Sequence, residues 1–394
     1  MNILFISEKP ILPNQGGIER VSIILANQFK VKGHSSFFLT TDTNYKPTGE
    51  EEFPNLSIDT STNNYLLEFK NILINNHIDI IINQFVSNNT LCLLPVAKRE
   101  GVKIMTVLHN RPYATVGMER RYKRLTRPET LKGWISKVIT LIYPNYYRRI
   151  NFIGNQTIYT YASNISDRFV LLSDKFIPRF FKYTPNVPQD KIIAINNPNT
   201  FSTNIENIKE KENIILWVGR LADPQKNVKD VINCWNHFYK THQDWKAIII
   251  GDGPHKAYFE KYAKNKHTKN IMFCGNRNDV DNFYKTAKFF CMTSLYEGWP
   301  MVLAESMAHG CIPAIYDTFE SCNEIIDDGI SGIISEPFQP ITLANRISEI
   351  ADNEQKRSLI ANNCKNHISK FNANDISDIW LSHIKSILNT QTDK

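Results

Sequence analysis

Short apolar runs that alternate with helical segments constrain this chain more than any other feature of its sequence. In the first half these runs fall at residues 3–6, 36–40, 77–86, 102–109, 168–173 and 191–196. Such alternation predicts a parallel β-sheet that carries helices on both faces. The pattern starts again after residue 213 and ends in an amphipathic helical segment at residues 374–388. We therefore predict an α/β protein with two doubly wound halves in tandem.

The polar stretch at residues 196–213 separates the two halves and has the composition of a linker. We predict an N-terminal Rossmann-like domain at residues 1–197 and a C-terminal Rossmann-like domain at residues 198–370. A final helical segment occupies residues 371–394. A chain of 394 residues is long enough to build a separate core in each domain.

Several classes of protein are disfavoured by composition. No apolar run approaches the roughly 18 residues that a membrane span needs, and the N-terminus has the pattern of a strand, not of a signal peptide. The seven cysteines are scattered without a Cys-x-x-Cys pair, which favours reduced thiols in a cytoplasm and disfavours a zinc site. The string G-x-G-x-x-G does not occur, so a nicotinamide cofactor has no support.

Positive charge is concentrated in the first half of the chain. Residues 1–198 hold 24 Lys and Arg against 15 Asp and Glu, while the remainder holds 22 against 24. Residues 111–150 carry ten basic residues and two glutamates, interleaved with Trp134 and several tyrosines. This mixture suits an anionic membrane surface, a solvated face or nucleic acid. We favour the membrane surface and expect no nucleic-acid partner.

Two glutamates lie eight positions apart in the segment SLYEGWPMVLAESMAHG, residues 294–310. Pro300 favours a helix start and Gly310 a helix end, so we predict a helix over residues 300–309. Glu297 then precedes the helix, and Glu305 lies about one and a half turns inside it. A helix N-terminus attracts phosphate, and carboxylates accept hydrogen bonds from hydroxyls, as a nucleotide sugar would require. The alternative is structural, with Glu297 as a cap and Glu305 on a polar stripe.

Polar or glycine-rich segments follow other strands. Arg220 and Lys226 in GRLADPQKN (219–227) could clamp a diphosphate, or could belong to a surface loop. GDGP (251–254) and NQGGIER (14–20) place glycines where backbone can approach a ligand, although many such turns are only turns.

Two further features at strand or helix ends remain. His109 ends a strand, where a side chain faces either a ligand crevice or the structure itself. The Asp-Val-Asp string at residues 279–281 opens a helix, and we interpret it as a cap, not as a metal site.

Taken together, these segments resemble the family-4 glycosyltransferases with the GT-B fold. The motifs that carry the resemblance are GGIERV (16–21), GH (33–34), His109, INNP (195–198), VGRL with KN (218–227), GDGP and EGWPMVLAESMAHG. The resemblance implies two Rossmann-like domains that face each other across a cleft. It also implies that the last helix, within residues 371–394, crosses back onto the N-terminal domain.

The resemblance also assigns roles to residues. It implies that Glu305 holds the ribose hydroxyls and that Glu297 bonds the transferred sugar. Arg220 and Lys226 would neutralise the departing diphosphate, and His109 would contact the donor sugar. His109, Arg220, Lys226 and Glu297 thus form the predicted catalytic set.

The remaining members of the predicted donor site are mostly backbone positions. The resemblance implies that amides of the EGWPM segment add to the phosphate clamp and that glycines of the other domain close over the phosphates. These members are Gly16, Gly17, Gly219, Gly251, Arg277, Gly298, Trp299, Pro300 and Met301. Trp299 departs from the family pattern, which usually has Phe there.

The implied activity is a retaining, metal-independent transfer of a hexosyl unit from a nucleotide sugar, which we expect to be UDP-linked. The acceptor would be a membrane-borne glycan or a lipid-linked acceptor in bacterial surface polysaccharide synthesis, such as capsule or lipopolysaccharide. No cofactor or metal is expected, and the enzyme would lie on the cytoplasmic side of the inner membrane. The alternatives are a non-catalytic nucleotide-sugar-binding protein and a basic nucleic-acid-binding protein.

Overall fold

The computed structural model describes residues 1–12, 16–45, 51–118, 131–199, 201 and 211–389. The strands are β1 (Asn2–Ser7), β2 (Ser35–Thr40), β3 (Asn55–Ser57), β4 (Ile80–Asn83), β5 (Lys103–Leu108), β6 (Arg168–Leu171), β7 (Ile192–Ala194), β8 (Glu212–Val218), β9 (Lys246–Ile250), β10 (Ile271–Gly275), β11 (Ala287–Met292), β12 (Ile312–Tyr316) and β13 (Ile333–Ser335). The helices are α1 (Gly17–Val31), α2 (Tyr65–Asn75), α3 (Asn88–Leu91), α4 (Leu94–Arg99), α5 (Leu131–Ile142), α6 (Pro144–Ile165), α7 (Ile177–Tyr183), α8 (Val228–Phe238), α9 (Lys256–Asn265), α10 (Val280–Thr286), α11 (Met301–Ala308), α12 (Cys322–Ile325), α13 (Pro340–Ala351), α14 (Glu354–Ile368) and α15 (Ala373–Asn389).

Contacts between residues divide the chain into two compact units. Unit 1 comprises residues 1–113, 152–200 and 371–394, and unit 2 comprises residues 114–151 and 201–370. The final helix α15 therefore belongs to unit 1. Residues 114–151, which the sequence assigned to the first domain, group with unit 2. Most of the segment that we interpreted as a linker, residues 200 and 202–210, lies outside the described residues.

Unit 1 is built on a parallel sheet with the strand order β3-β2-β1-β4-β5-β6-β7. The long apolar runs of the sequence occupy its centre, and Phe5, Ile81 and Val170 are fully buried there. This order, with β1 in the interior and the chain wound outwards in both directions, is that of a doubly wound fold. The edge strand β3 was not predicted, because its three residues lack an apolar run.

Unit 2 repeats the arrangement with the strand order β10-β9-β8-β11-β12-β13, again with every pair parallel. The predicted fold class of two Rossmann-like α/β domains is confirmed. In each unit the carboxyl ends of neighbouring strands meet at one edge, so the loops that follow those strands lie close together.

Helix α15 packs on α1 within unit 1. Its apolar stripe, which includes Ile376, Trp380 and Ile384, is buried, as the amphipathic pattern of the sequence predicts. At the rim of this contact, Lys32 Nζ donates to Asp378 Oδ1 at 2.5 Å. The amphipathic C-terminal segment thus has its packing partner in the first helix of the chain.

The basic and aromatic segment folds as α5 and α6, as far as it is described; residues 119–130 lie outside the described part. Within the described ranges, no helix is both long enough and apolar enough to cross a membrane.

Candidate active site

The loop after β8 carries Arg220 and is supported by the loop after β9. Gly219 N donates to Ile250 O at 3.0 Å, and Leu221 N donates to Asp252 O at 2.8 Å. Gly251 has φ +132°, and a Cβ atom there would lie 1.8 Å from Gly219 O. The backbone of the GDGP segment therefore packs against the backbone of the loop that carries Arg220. The Arg220 side chain itself is exposed.

Lys226 joins the same loop to the segment after β11. Its Nζ donates to Glu297 Oε1 at 2.7 Å, and the two side chains are only 18% and 9% exposed. The backbones are also connected, because Leu295 N donates to Gln225 O at 2.7 Å and Thr293 Oγ1 donates to Asn227 O at 2.9 Å. These contacts hold a cation and a carboxylate together at the carboxyl edge of the sheet.

Helix α11 follows Glu297 after a short turn. It starts at Met301 with Pro300 as its N-cap and ends at Ala308, one residue inside the predicted helix at each end. Gly298 O accepts a hydrogen bond from Ser321 Oγ at 2.7 Å, which secures the turn that precedes the helix. Trp299, also in that turn, is 3% exposed.

Glu305 lies on the buried side of α11 with 1% exposure. Tyr284 OH donates to Glu305 Oε2 at 3.2 Å, and His309 Nδ1 donates to the Glu305 carbonyl oxygen at 2.8 Å. His309 Nε2 lies 2.5 Å from Asp281 Oδ1, and burial lowers the pKa of His309. The carboxylate of Glu305 is therefore held by Tyr284 on α10, while His309 bonds the backbone of the same residue.

Arg277 and the Asp-Val-Asp string lie at the start of α10. The Arg277 guanidinium donates to both Asp279 oxygens, at 2.8 and 2.9 Å, and both side chains are exposed. Asp279 is the N-cap residue of α10, as predicted, although its carboxylate bonds Arg277 instead of the helix backbone. Among the described residues, no three His, Cys, Asp or Glu side chains are grouped so that they could hold a metal ion.

His109 belongs to unit 1, where it directly follows β5. Its Nε2 lies 2.5 Å from Oε1 of Gln84, which directly follows the neighbouring strand β4. The protein around the imidazole lowers the pKa of His109 to about 3, because burial disfavours its charged form. The His109 ring is therefore neutral at ordinary pH.

Gly16 and Gly17, also in unit 1, mark the start of α1. Gly17 is the first helical residue, and a Cβ atom on Gly16 would lie 2.4 Å from Glu19 Oε2. A side chain at position 16 would therefore clash with the buried Glu19, which gives Gly16 a structural reason that does not involve a ligand. Residues 13–15, which include part of the NQGGIER segment, lie outside the described residues.

Within unit 2 the structure brings Lys226 into contact with Glu297, with Arg220 on the same loop and Glu305 on the following helix. Their roles in binding and catalysis remain predictions. Sequence reasoning missed Gln84 and Tyr284, the partners of His109 and Glu305. Each partner is distant in sequence from the residue it contacts and belongs to no motif, although a polar residue at the end of β4 could have pointed to Gln84.

Comparison with known proteins shows what this arrangement resembles. The profile of the family described as "Glycosyl transferases group 1" matches residues 199–367. The crystal structure of Anabaena Alr3699/HepE in complex with UDP superposes with a TM-score of 0.73 and 15% identity, over 98% of this chain and 100% of that one. The family model thus covers the C-terminal part of the chain, and the fold is that of GT-B glycosyltransferases. The predicted resemblance to GT-B glycosyltransferases is confirmed.

Two curated relatives are named as glycosyltransferases that act on undecaprenol-linked glycans. A Campylobacter jejuni protein named "GalNAc-alpha-(1->4)-GalNAc-alpha-(1->3)-diNAcBac-PP-undecaprenol alpha-1,4-N-acetyl-D-galactosaminyltransferase" is 30% identical over 49% of this chain and 54% of its own length. An Escherichia coli protein named "UDP-Gal:alpha-D-GlcNAc-diphosphoundecaprenol alpha-1,3-galactosyltransferase" is 23% identical over 51% of this chain and 53% of its own length. The chain thus spans about half the length of each of these relatives.

Proposed function

We propose that this chain is a retaining, metal-independent glycosyltransferase. It transfers a hexosyl unit from a UDP-linked sugar to a membrane-borne glycan or a lipid-linked acceptor in bacterial surface polysaccharide synthesis. The observation that carries the proposal is the contact of Lys226 with Glu297, which lies just before the turn that leads into helix α11. That helix also bears the buried Glu305.

Donor binding follows from the charges at this site. The diphosphate of the donor is attracted to Lys226, to the exposed Arg220 and to the positive N-terminal end of α11. As Lys226 turns to the phosphate, the Glu297 carboxylate becomes free to accept hydrogen bonds from sugar hydroxyls. Glu305, held by Tyr284, accepts from the ribose hydroxyls.

The transfer step needs stabilisation of charge on the leaving group. The bond between the anomeric carbon and the phosphate oxygen breaks, and its electron pair stays on that oxygen. The acceptor hydroxyl oxygen bonds to the anomeric carbon on the same face, and its proton passes to the departing phosphate oxygen. Arg220 and Lys226 stabilise the negative charge that develops there, which is the role a metal ion has in other transferases.

The nature of the donor and the acceptor is supported by the relatives. The Escherichia coli relative is named for UDP-galactose and a diphosphoundecaprenol acceptor, and the Campylobacter jejuni relative for an undecaprenol-linked glycan. The Anabaena protein was crystallised with UDP. We accordingly assign a UDP-sugar as donor and a lipid-linked glycan as acceptor.

Helix α5 supports contact with the membrane that carries such an acceptor. Its apolar residues recur at helical spacing on one side, yet they are exposed, in contrast to the usual burial of such a stripe. They are Leu131 (77%), Trp134 (49%), Ile135 (52%), Val138 (50%), Ile139 (37%) and Ile142 (58%). Lys132, Lys137 and Arg148 add positive charge to the described part of the segment, which suits anionic lipid. We place the enzyme at the cytoplasmic face of the inner membrane.

A thermal-shift screen with UDP- and GDP-linked hexoses tests the proposal without an acceptor. A ligand that binds only the folded state raises the melting temperature, so we expect a shift with at least one UDP-hexose and a smaller shift with its GDP counterpart. Slow hydrolysis of the same UDP-hexose, lost in Glu297→Ala, would argue against a non-catalytic binding protein. Absence of a shift with every nucleotide sugar would contradict the proposal.

A further inference from the structure

Gln84 is a buried amide at the edge of the unit 1 sheet where ligands of doubly wound folds bind. It follows β4 directly and is 2% exposed, and His109 follows the adjacent strand β5. The two strands pair in parallel with Asn83 opposite Thr106, and β5 continues to Leu108 before His109 follows it. Asn83 Nδ2 donates to Phe85 O at 2.7 Å, and this bond fixes the turn that holds Gln84.

The two ends of the Gln84 amide have different surroundings. Its Oε1 contacts His109 Nε2 at 2.5 Å, whereas its Nε2 is buried and has no hydrogen-bond partner among the residues that the structure describes. A buried donor of this kind is uncommon, because most buried polar groups are hydrogen-bonded. The unpartnered donor lies at the carboxyl edge of the sheet, beside His109.

The contact also determines which nitrogen of His109 carries the proton. A carbonyl oxygen can only accept, so His109 Nε2 must donate to Gln84 Oε1. A neutral imidazole has one proton, and Nδ1 is consequently left as an acceptor. His109 as a residue keeps some solvent exposure although protein packs around its ring, and the ring makes no other polar contact within the described parts of the chain.

We propose that Gln84 is a positioning residue for His109, which keeps the imidazole proton on Nε2 and leaves Nδ1 to accept a hydrogen bond from a sugar hydroxyl. A neutral acceptor at this point selects a hydroxyl over an anionic group. The inference rests on the proposed glycosyl transfer and on the contact of His109 with the donor sugar that the family resemblance implies.

The first test measures the proton position directly and needs no substrate. The full chain is labelled with ¹⁵N-histidine, and His109 is assigned by comparison with His109→Leu. We expect the Nε2–H tautomer in the wild type at pH 7 and a mixture of tautomers in Gln84→Met, which keeps the side-chain length without an acceptor. Gln84→Glu keeps an oxygen opposite Nε2 and should keep the proton there.

A matched control is available on α6 of the same unit. Gln156 Nε2 donates to Tyr183 O at 2.8 Å, so Gln156→Met also removes one glutamine hydrogen bond. This variant should leave the His109 nitrogen shifts unchanged. An Nδ1–H tautomer in the wild type, or an unchanged tautomer in Gln84→Met, would overturn the proposal.

A second test uses turnover of the UDP-hexose found in the thermal-shift screen. We expect Gln84→Met to lower kcat by up to about 100-fold while the affinity for UDP alone stays unchanged, because the effect acts on the sugar and not on the nucleotide. Wild-type kcat in Gln84→Met would overturn the proposal. If no UDP-hexose is turned over by the wild type while the tautomer shifts as expected, the glycosyl-transfer proposal fails and the positioning of His109 by Gln84 stands.

Discussion

Lys226 and Glu297 form an ion pair with an Nζ to Oε1 distance of 2.7 Å, although 71 positions separate them in the chain. The pair connects the loop after β8 with the turn before α11. Because both side chains are largely buried, each depends on the other for charge compensation.

Removal of one partner of this pair should destabilise the protein. In Lys226→Met the Glu297 carboxylate is left buried without its cation, and we expect a loss of about 1–3 kcal/mol in the free energy of unfolding, measured by urea denaturation. The double variant Lys226→Met with Glu297→Gln should recover part of this stability and should remain inactive in UDP-hexose hydrolysis. Equal stability of the wild type and Lys226→Met would mean that the pair does not contribute to folding.

Gly251 should tolerate no side chain, because the backbone of the Arg220 loop occupies the space. A Cβ atom there would lie 1.8 Å from Gly219 O, at a φ of +132°. We expect Gly251→Ala to cost more stability than Gly33→Ala by about 1–3 kcal/mol, the usual cost of overpacking. Gly33 is a suitable control, since its φ is +80° and nothing lies within 4 Å of a Cβ atom there. Similar melting temperatures for the two variants would disprove the close packing of the two loops.

His109 should make stability depend on pH below neutrality. Burial lowers its pKa to about 3 from an ordinary value near 6.5, so between these pH values the unfolded chain binds the proton and the folded chain does not. Above pH 6.5 the protonation of His109 does not affect the free energy of unfolding. As the pH decreases from 6.5 towards 3, this free energy falls by at most about 1.4 kcal/mol per pH unit. Urea denaturation between pH 5 and 7.5 should therefore give a steeper pH dependence for the wild type than for His109→Leu. Parallel curves would show that His109 titrates normally.

Helix α5 should bind anionic vesicles through its exposed apolar side. Replacing Trp134 and Val138 by Ser removes two side chains from that side, and we expect the partition onto phosphatidylglycerol vesicles to fall at least about tenfold in a sedimentation assay. Ile341→Ser with Leu359→Ser removes apolar residues of similar or greater exposure, 55% and 61%, from α13 and α14. Equal binding by the two double variants would contradict a specific role for α5.

The strand and helix pattern was predictable because it is local. Alternation of apolar runs and amphipathic segments determined the two doubly wound sheets, and Pro300 with Gly310 determined α11 to within one residue. Strand β3 escaped prediction, since a three-residue edge strand is set by its pairing with β2 and not by its own composition.

The contacts of the site were less predictable, because they depend on which strands become neighbours. The motifs indicated Lys226 and Glu297 separately, but their contact follows from the adjacency of β8 and β11 in the sheet. Gln84 has no motif, and its importance arises only when the register of β4 and β5 brings it beside His109. The burial of Glu305 beside Tyr284 likewise requires the packing of α10 against α11.

The most direct test of the account is calorimetric titration of the wild type, Glu297→Gln and Glu305→Gln with UDP and with a UDP-hexose. We predict that Glu305→Gln weakens the binding of both ligands, because it loses the acceptor of the ribose hydroxyls. Glu297→Gln should bind UDP as the wild type does and lose only the additional affinity contributed by the sugar. Binding of both ligands by both variants with wild-type affinity would contradict the proposed donor site.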